Sequence, residues 1–188
     1  MHPVSFVGAG PGATDLLTLR AAERLRSADV LVWTDSLVCP GIPKLAPDGC
    51  EKIRTSTMTL EEVIPLLIER QKSGKRIVRL HDGDTALYSA INEQICALTD
   101  HNIPVEVVPG ISAYQAAAAG LASELTIPGV VQTIVLGRAG GRTGVPDSEA
   151  LSRLAALKAS LCLYLSARHV EDVQTTLLAH YPATVSYT

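Results

Sequence analysis

The chain has 188 residues, 47% hydrophobic and 19% charged, which suits one ordinary domain or two small ones and is too apolar for a disordered segment. A formal net charge of -3 offers no basic excess to a nucleic acid, and aromatic residues at 4% are too few for a base-stacking platform. The longest uncharged stretch before Glu124, residues 107–123, is broken by Pro109, Gly110 and Gly120, and Met1-His2-Pro3 lacks the basic start of a signal peptide, so neither a membrane span nor export is expected and the cytoplasm is. The four cysteines show no C-x-x-C spacing, which gives no zinc site and points to scattered, reduced thiols.

In chain order, Val4-Ser5-Phe6-Val7 predicts a strand that runs into Gly8-Ala9-Gly10-Pro11-Gly12. A helix is expected over residues 15–27, with Leu16, Leu17, Leu19, Ala22 and Leu25 as its apolar face and Thr14 or Asp15 as its cap. Residues 29–33 predict a second strand, and a Pro/Gly-rich loop spans 39–49. Thr59 with Glu62 has capping-box spacing for a helix that ends near Ser73, before Gly74. Residues 76–80 predict a strand ending at His81-Asp82-Gly83-Asp84, followed by a helix over 87–98 and a strand over 105–108 closed by Pro109-Gly110. Ser112 then caps an Ala-rich helix. Alternating strands and helices indicate an α/β domain with a largely parallel sheet, whose ligands sit at the carboxyl ends of the strands. Three loops fall there: 8–14, 81–85 and 109–113.

The pattern changes after Ala122. A strand is expected over 130–136, then a basic, Gly-rich loop, a helix over 147–158, a strand over 161–165 and a helix over 168–180. This reads as a second α/β unit, giving domains 1–114 and 115–188. The final residues, with Val185-Ser186-Tyr187, read like a strand that has just begun, so the second domain is expected to be truncated at its C-terminus.

Glycines after a strand suit a dinucleotide site, where the backbone approaches a phosphate at a helix N-terminus, with Asp35 as the acid for the ribose. The fingerprint is G-x-G-x-x-G, however. Here Gly12 comes one residue early and Pro11 removes an N–H from the cradle, so a structural tight turn is the other reading. His81-Asp82-Gly83-Asp84 can serve acid–base chemistry or a cationic ligand, or be a solvated turn with Asp84 as helix cap. Arg138, Arg142 and Thr143 can grip carboxylates, or lie in a solvated loop.

These loops, in this order, resemble the tetrapyrrole methylase family. The resemblance rests on Val7-Gly8-Ala9-Gly10-Pro11-Gly12 with Asp15-Leu16-Leu17-Thr18-Leu19, on Arg79-Leu80-His81-Asp82-Gly83-Asp84-Thr85, and on Val107-Val108-Pro109-Gly110-Ile111-Ser112-Ala113. The segment 124–133 and Arg142-Thr143-Gly144-Val145-Pro146 are similar to the branch that methylates carbon 11 of precorrin-4 or its cobalt form. The resemblance implies a two-domain α/β fold with S-adenosyl-L-methionine in the interdomain cleft, S-adenosyl-L-homocysteine as product, a tetrapyrrole substrate and a homodimer. It implies cofactor contacts at Pro11, Asp82, Gly83, Asp84, Leu87, Ser112, Ala113, Leu165 and Ser166. Asp84 and Asp15 are the implied catalytic candidates, Arg54, Arg138 and Arg142 the partners of substrate carboxylates, and no metal is implied. Ala13 and Thr85 depart from the family pattern, which often has Asp and Pro there. The competing expectations are another tetrapyrrole methylase, such as a uroporphyrinogen or precorrin methyltransferase, a non-catalytic fragment, and a NAD-binding oxidoreductase.

Overall fold

Strands β1 (Val4–Gly8), β2 (Val30–Trp33) and β4 (Ile77–His81) are buried at every position, as continuous apolar runs require when both faces of a parallel sheet are covered. In the computed structural model, which describes residues 2–140 and 144–183, they form with β3 (Glu51–Arg54) and β5 (Val105–Val108) a five-stranded, all-parallel sheet of order β3-β2-β4-β1-β5. The chain divides into two compact units, Met1–Ala116 and Ala117–Thr188, and the sheet belongs to the first.

Side chains alternate between two cores. Val7, Leu31, Val78 and Leu80 pack with Ala21 and Leu25 of α1 (Leu19–Arg26) and with Val38, Ile42 and Ala46 of the loop that follows β2. Phe6, Val30, Val32 and Ile77 pack on the other face with Val63 and Leu67 of α2 (Leu60–Lys72) and Leu98 of α3 (Ile91–Asp100). The capping box is formed: the Thr59 N–H donates to Glu62 Oε2 at 2.8 Å. Arg24 reaches from α1 to β5, donating twice to Glu106 at 2.7 and 2.9 Å.

Several boundaries differ from the sequence reading. The expected helix over 15–27 opens as a single 3₁₀ turn at Thr14–Leu16, and α1 begins only at Leu19. Its cap is Thr18, whose Oγ1 accepts from the Ala21 N–H at 3.2 Å, and Leu19, assigned to the apolar face, is 86% exposed. The helix expected from residue 87 starts at Ile91, because Tyr88 (φ 56°) and Ala90 (φ 48°) adopt left-handed conformations that no helix continues through. Strand β3 has no counterpart in the sequence reading.

In the second unit, β6 (Ile134–Arg138) and β7 (Ser160–Tyr164) pair in parallel. The strand expected over 130–136 begins later, since Pro128-Gly129 closes a turn in which the Ile127 and Val131 backbones exchange hydrogen bonds at 2.7 and 2.9 Å. The helices expected over 147–158 and 168–180 each open as a 3₁₀ turn and become α5 (Leu151–Ala156) and α6 (Val170–Leu178). Helix α4 (Ala113–Gly120) carries the chain across the division between units. Among the described residues, no helix is long and apolar enough to cross a membrane. The segment that ends in Val185, Ser186 and Tyr187 lies outside the described residues.

Candidate functional site

The sheet order places the carboxyl ends of β4, β1 and β5 side by side, and the three loops singled out by sequence meet there. They are stitched together by backbone. The Ala9 N–H donates to His81 O at 2.7 Å, and Gly10 and Gly83 exchange N–H···O bonds at 3.0 Å each way. Asp84 ties in the third loop: Oδ2 accepts the Gly110 N–H and Oδ1 the Ala86 N–H, both at 2.9 Å. Three glycines make this approach possible. A Cβ on Gly8 would lie 2.6 Å from Gly110 N and 2.7 Å from Gly83 O, distances no side chain tolerates.

The N–H groups of Ala9 and Gly10 are spent on the second loop, Pro11 has none, and the nearest α-helix begins at Leu19. Residues 8–12 therefore do not open an α-helix and do not offer the Ala9 and Gly10 N–H groups that a pyrophosphate cradle would use. Asp35 hydrogen-bonds with Ser56, which holds its carboxyl below the usual carboxylate range.

The remaining first-unit candidates gather around the same edge. Asp82 reaches solvent, yet crowding by neighbouring atoms raises its carboxyl above the ordinary range. The Leu87 N–H donates to Asp84 O at 3.3 Å. Ser112 is buried; its N–H donates to Gln115 Oε1 at 2.9 Å, and its carbonyl accepts the Gln115 and Ala116 N–H groups of α4 at 3.1 and 3.3 Å. Pro11 is half-buried, and Ala13 and Ala113 are exposed. Asp15 is exposed in its 3₁₀ turn. Thr85 is buried.

Beneath the second loop is a polar network that sequence reasoning did not select. Arg79 is 5% exposed and, among the described residues, meets no carboxylate; it donates to Gln94 Oε1 at 3.1 Å and Thr55 Oγ1 at 3.2 Å. Gln94 in turn donates to the carbonyl of left-handed Ala90 at 3.1 Å, which anchors the turn leading into α3. Burial lowers the Arg79 pKa to about 10. His81 stacks on Phe6 at 5.9 Å; burial first, and the Arg79 charge second, bring its pKa to about 3. Its Nε2 is buried without a hydrogen-bond partner among the described residues. The available signal was a cation inside the otherwise apolar run Ile77-Val78-Arg79-Leu80.

In the second unit, Ser166 stands at the carboxyl ends of β6 and β7. Its Oγ donates to Tyr164 O at 2.7 Å and accepts the Ala139 N–H at 2.9 Å. Leu165 is 65% exposed and left-handed (φ 55°), a conformation that ends β7 and presents its side chain outward. Arg138 donates to Gly144 O at 3.0 Å. Arg142 and Thr143 lie outside the described residues. Arg54 is at the carboxyl end of β3, on the same sheet edge as the three loops. The four cysteines are free thiols, and no cluster of metal-ligating side chains exists among the described residues.

Comparison with known proteins places this architecture. A cobalt-precorrin-4 C(11)-methyltransferase of Priestia megaterium is 44% identical over 89% of this chain and 65% of its own length. A precorrin-4 C(11)-methyltransferase of Rhodococcus erythropolis is 38% identical over 95% of this chain and 72% of its own. The chain thus spans about two thirds of the length of the curated relatives it matches. Among solved structures, a cobalt precorrin-4 methyltransferase superposes with a TM-score of 0.91 at 39% identity, covering 95% of this chain and 74% of the other. A uroporphyrin-III C-methyltransferase of Thermus thermophilus, complexed with S-adenosyl homocysteine, gives 0.76 at 31% over 94% of this chain and 76% of the other. A family model described as tetrapyrrole (corrin/porphyrin) methylases matches residues 3–187, and the chain belongs to that family.

Proposed function

We propose that the protein is an S-adenosylmethionine-dependent C-methyltransferase acting on carbon 11 of precorrin-4, or of its cobalt form, in cobalamin biosynthesis. The observation that carries this reading is the 44% identity to a protein of that activity, spread over 89% of the chain. The site's chemistry fits the cofactor. The Gly8, Gly83 and Gly110 contact leaves a rim of bare backbone against which a ligand can lie closely, and Asp82, exposed on that rim, supplies a carboxylate for a cationic one.

Pro11, Asp82, Gly83, Asp84, Leu87, Ser112 and Ala113 would hold S-adenosylmethionine, and Leu165 and Ser166 of the second unit are proposed as further contacts. When bound, it supplies a sulfonium methyl already activated for displacement by a nucleophilic ring carbon. The protein's own work is therefore mainly alignment, for which the stitched loops provide rigidity. Both Asp84 oxygens accept backbone N–H groups, which in this reading makes Asp84 a positioning residue and leaves exposed Asp15 as the candidate proton acceptor. Arg54, Arg138 and Arg142 are assigned to substrate carboxylates.

Calorimetry with S-adenosylhomocysteine tests the cofactor assignment; saturable heat at one site is expected, and its absence overturns the reading. Mass spectrometry of incubations with metal-free and cobalt-bearing precorrin-4 then shows which form gains a methyl group. The reading includes a cytoplasmic homodimer, which sedimentation velocity examines directly.

A further inference from the structure

The edge of the first unit's sheet carries a groove of about 410 Å³ outside the stitched loops. Trp33, Val38 and Pro43 form its apolar wall, and Lys44, Lys52 and Arg54 stand around it with one acid, Asp35. Strand register explains the arrangement. Lys52 and Arg54 are two residues apart and so share a face of β3, beside Leu31 and Trp33 of β2. Glu51 points to the opposite face, where Arg70 binds its carboxylate at 2.9 Å. The nearest acid on the strand is thereby removed from the groove. Among the described residues no ion pair engages Lys44, Lys52 or Arg54, whereas Arg24, Arg70 and Arg76 are each committed to a carboxylate. A local excess of positive charge thus faces solvent in a chain of net charge -3, next to an indole. Although Ser56 hydrogen-bonds the Asp35 carboxyl, its Oδ1, on the same wall, has no hydrogen-bond partner among the described residues.

We propose that this groove is a specificity site that receives the carboxylate-bearing edge of the tetrapyrrole, with Lys44 and Lys52 joining Arg54 as partners of its acetate and propionate arms. Apolar wall and surrounding cations match a flat apolar ring fringed by anions, and neither feature alone would select it. The identity of the occupant rests on the methyltransferase reading; the preference of the groove for polycarboxylates does not.

Trp33, the chain's only tryptophan, lines the groove, so its emission reads porphyrin binding and the lysine variant localises it. The probes are uroporphyrin, which carries an acetate and a propionate on every pyrrole, and coproporphyrin, in which methyl groups replace the acetates. Uroporphyrin is expected to quench Trp33 saturably, to bind more tightly than coproporphyrin, and to weaken with salt. Exposed charge pairs contribute modestly, so Lys44→Gln with Lys52→Gln should weaken uroporphyrin binding by roughly five- to tenfold and flatten its salt dependence. Circular dichroism and S-adenosylhomocysteine calorimetry on the same variant should match the parent chain. Absent quenching in the parent chain, or equal uroporphyrin affinity in parent and variant, overturns the groove assignment. Lysine-dependent porphyrin binding by a chain that does not bind S-adenosylhomocysteine would overturn the methyltransferase reading and leave the groove standing.

Discussion

Replacing Gly8 by Ala tests whether the three loops are held by contact or merely lie near one another. The new Cβ would sit 2.6 Å from Gly110 N, 2.7 Å from Gly110 Cα and 2.7 Å from Gly83 O. Ordinary contact begins at 3.4 Å, so the neighbouring loops must retreat by about 0.7 Å in a region packed like a crystal. β1 cannot move aside, because β4 and β5 pair with it on both edges. The same retreat stretches the 2.9 Å bond between Asp84 and the Gly110 N–H beyond useful range. Overpacking costs roughly 1–3 kcal/mol and a lost charge-assisted bond about 1.5–3 kcal/mol, so Gly8→Ala should cost about 2.5–6 kcal/mol. Two controls separate contact from flexibility. Gly49 has no atom near its Cβ position and no left-handed φ, so Gly49→Ala should change stability by no more than about 0.5 kcal/mol. Gly12 is equally open but has φ +123°, so Gly12→Ala carries backbone strain alone, about 1–3 kcal/mol. Urea unfolding followed by Trp33 fluorescence reads the first unit. A Gly8→Ala chain as stable as Gly49→Ala, with undiminished S-adenosylhomocysteine affinity, would refute the stitched-loop account.

Other expectations follow from the polar groups around the site. His81 folds neutral with a pKa of about 3, whereas the unfolded imidazole titrates near its ordinary 6.5, so acid first protonates the unfolded chain. Stability should therefore be complete above pH 6.5, about 2 kcal/mol lower at pH 5, and fall further until pH 3. Asp82, whose carboxyl is raised, shifts stability in the opposite sense, so the quantity to read is the difference from His81→Phe, and parallel pH curves would contradict the assignment. Arg79→Met orphans Gln94 Oε1, while Thr55 Oγ1 keeps its bond with Thr34 Oγ1, and should cost about 2 kcal/mol, part of which Gln94→Leu restores; an additive double-mutant cycle would rule out the network. Asp84→Asn keeps one acceptor oxygen where two are used and should cost about 1–2 kcal/mol while weakening S-adenosylhomocysteine binding; unchanged calorimetry would remove Asp84 from the site.

What the sequence disclosed of the fold follows burial. β1, β2, β4 and β5 are largely apolar runs, delimited by glycines, prolines or, at β2, by Asp29 and Asp35, and each was found within a residue or two of its place. β3 escaped because three of the four residues in Glu51-Lys52-Ile53-Arg54 are charged, a composition tolerated only on an edge strand and shared with loops. Helix starts erred for a related reason. Apolar periodicity continues through Leu16 and Leu17, but the turn that carries them is 3₁₀, and the cap that decides the matter is one hydroxyl, Thr18. At Tyr88 and Ala90 nothing in residue type announces a left-handed backbone, because neither is glycine.

The candidate site was legible to a different depth. Glycines and acids at strand ends mark a ligand edge, and the strand order then brings them together. Residue types alone left two readings of the first loop, since a phosphate cradle and a stitched rim both require glycine. What separates them is the acceptor of each backbone N–H. In a cradle the N–H groups point outward and await an anion; here those of Ala9 and Gly10 end on His81 O and Gly83 O. Composition counts donors, whereas only the paired strand supplies the acceptors, and that strand lies about seventy residues away in sequence. The same reasoning separates Asp82 from Asp84. As neighbours in one acidic loop they look equivalent, yet Asp84 has both oxygens filled by Gly110 and Ala86, while Asp82 reaches solvent with its carboxyl raised. One carboxylate is consumed in building the rim and the other remains for whatever the rim holds.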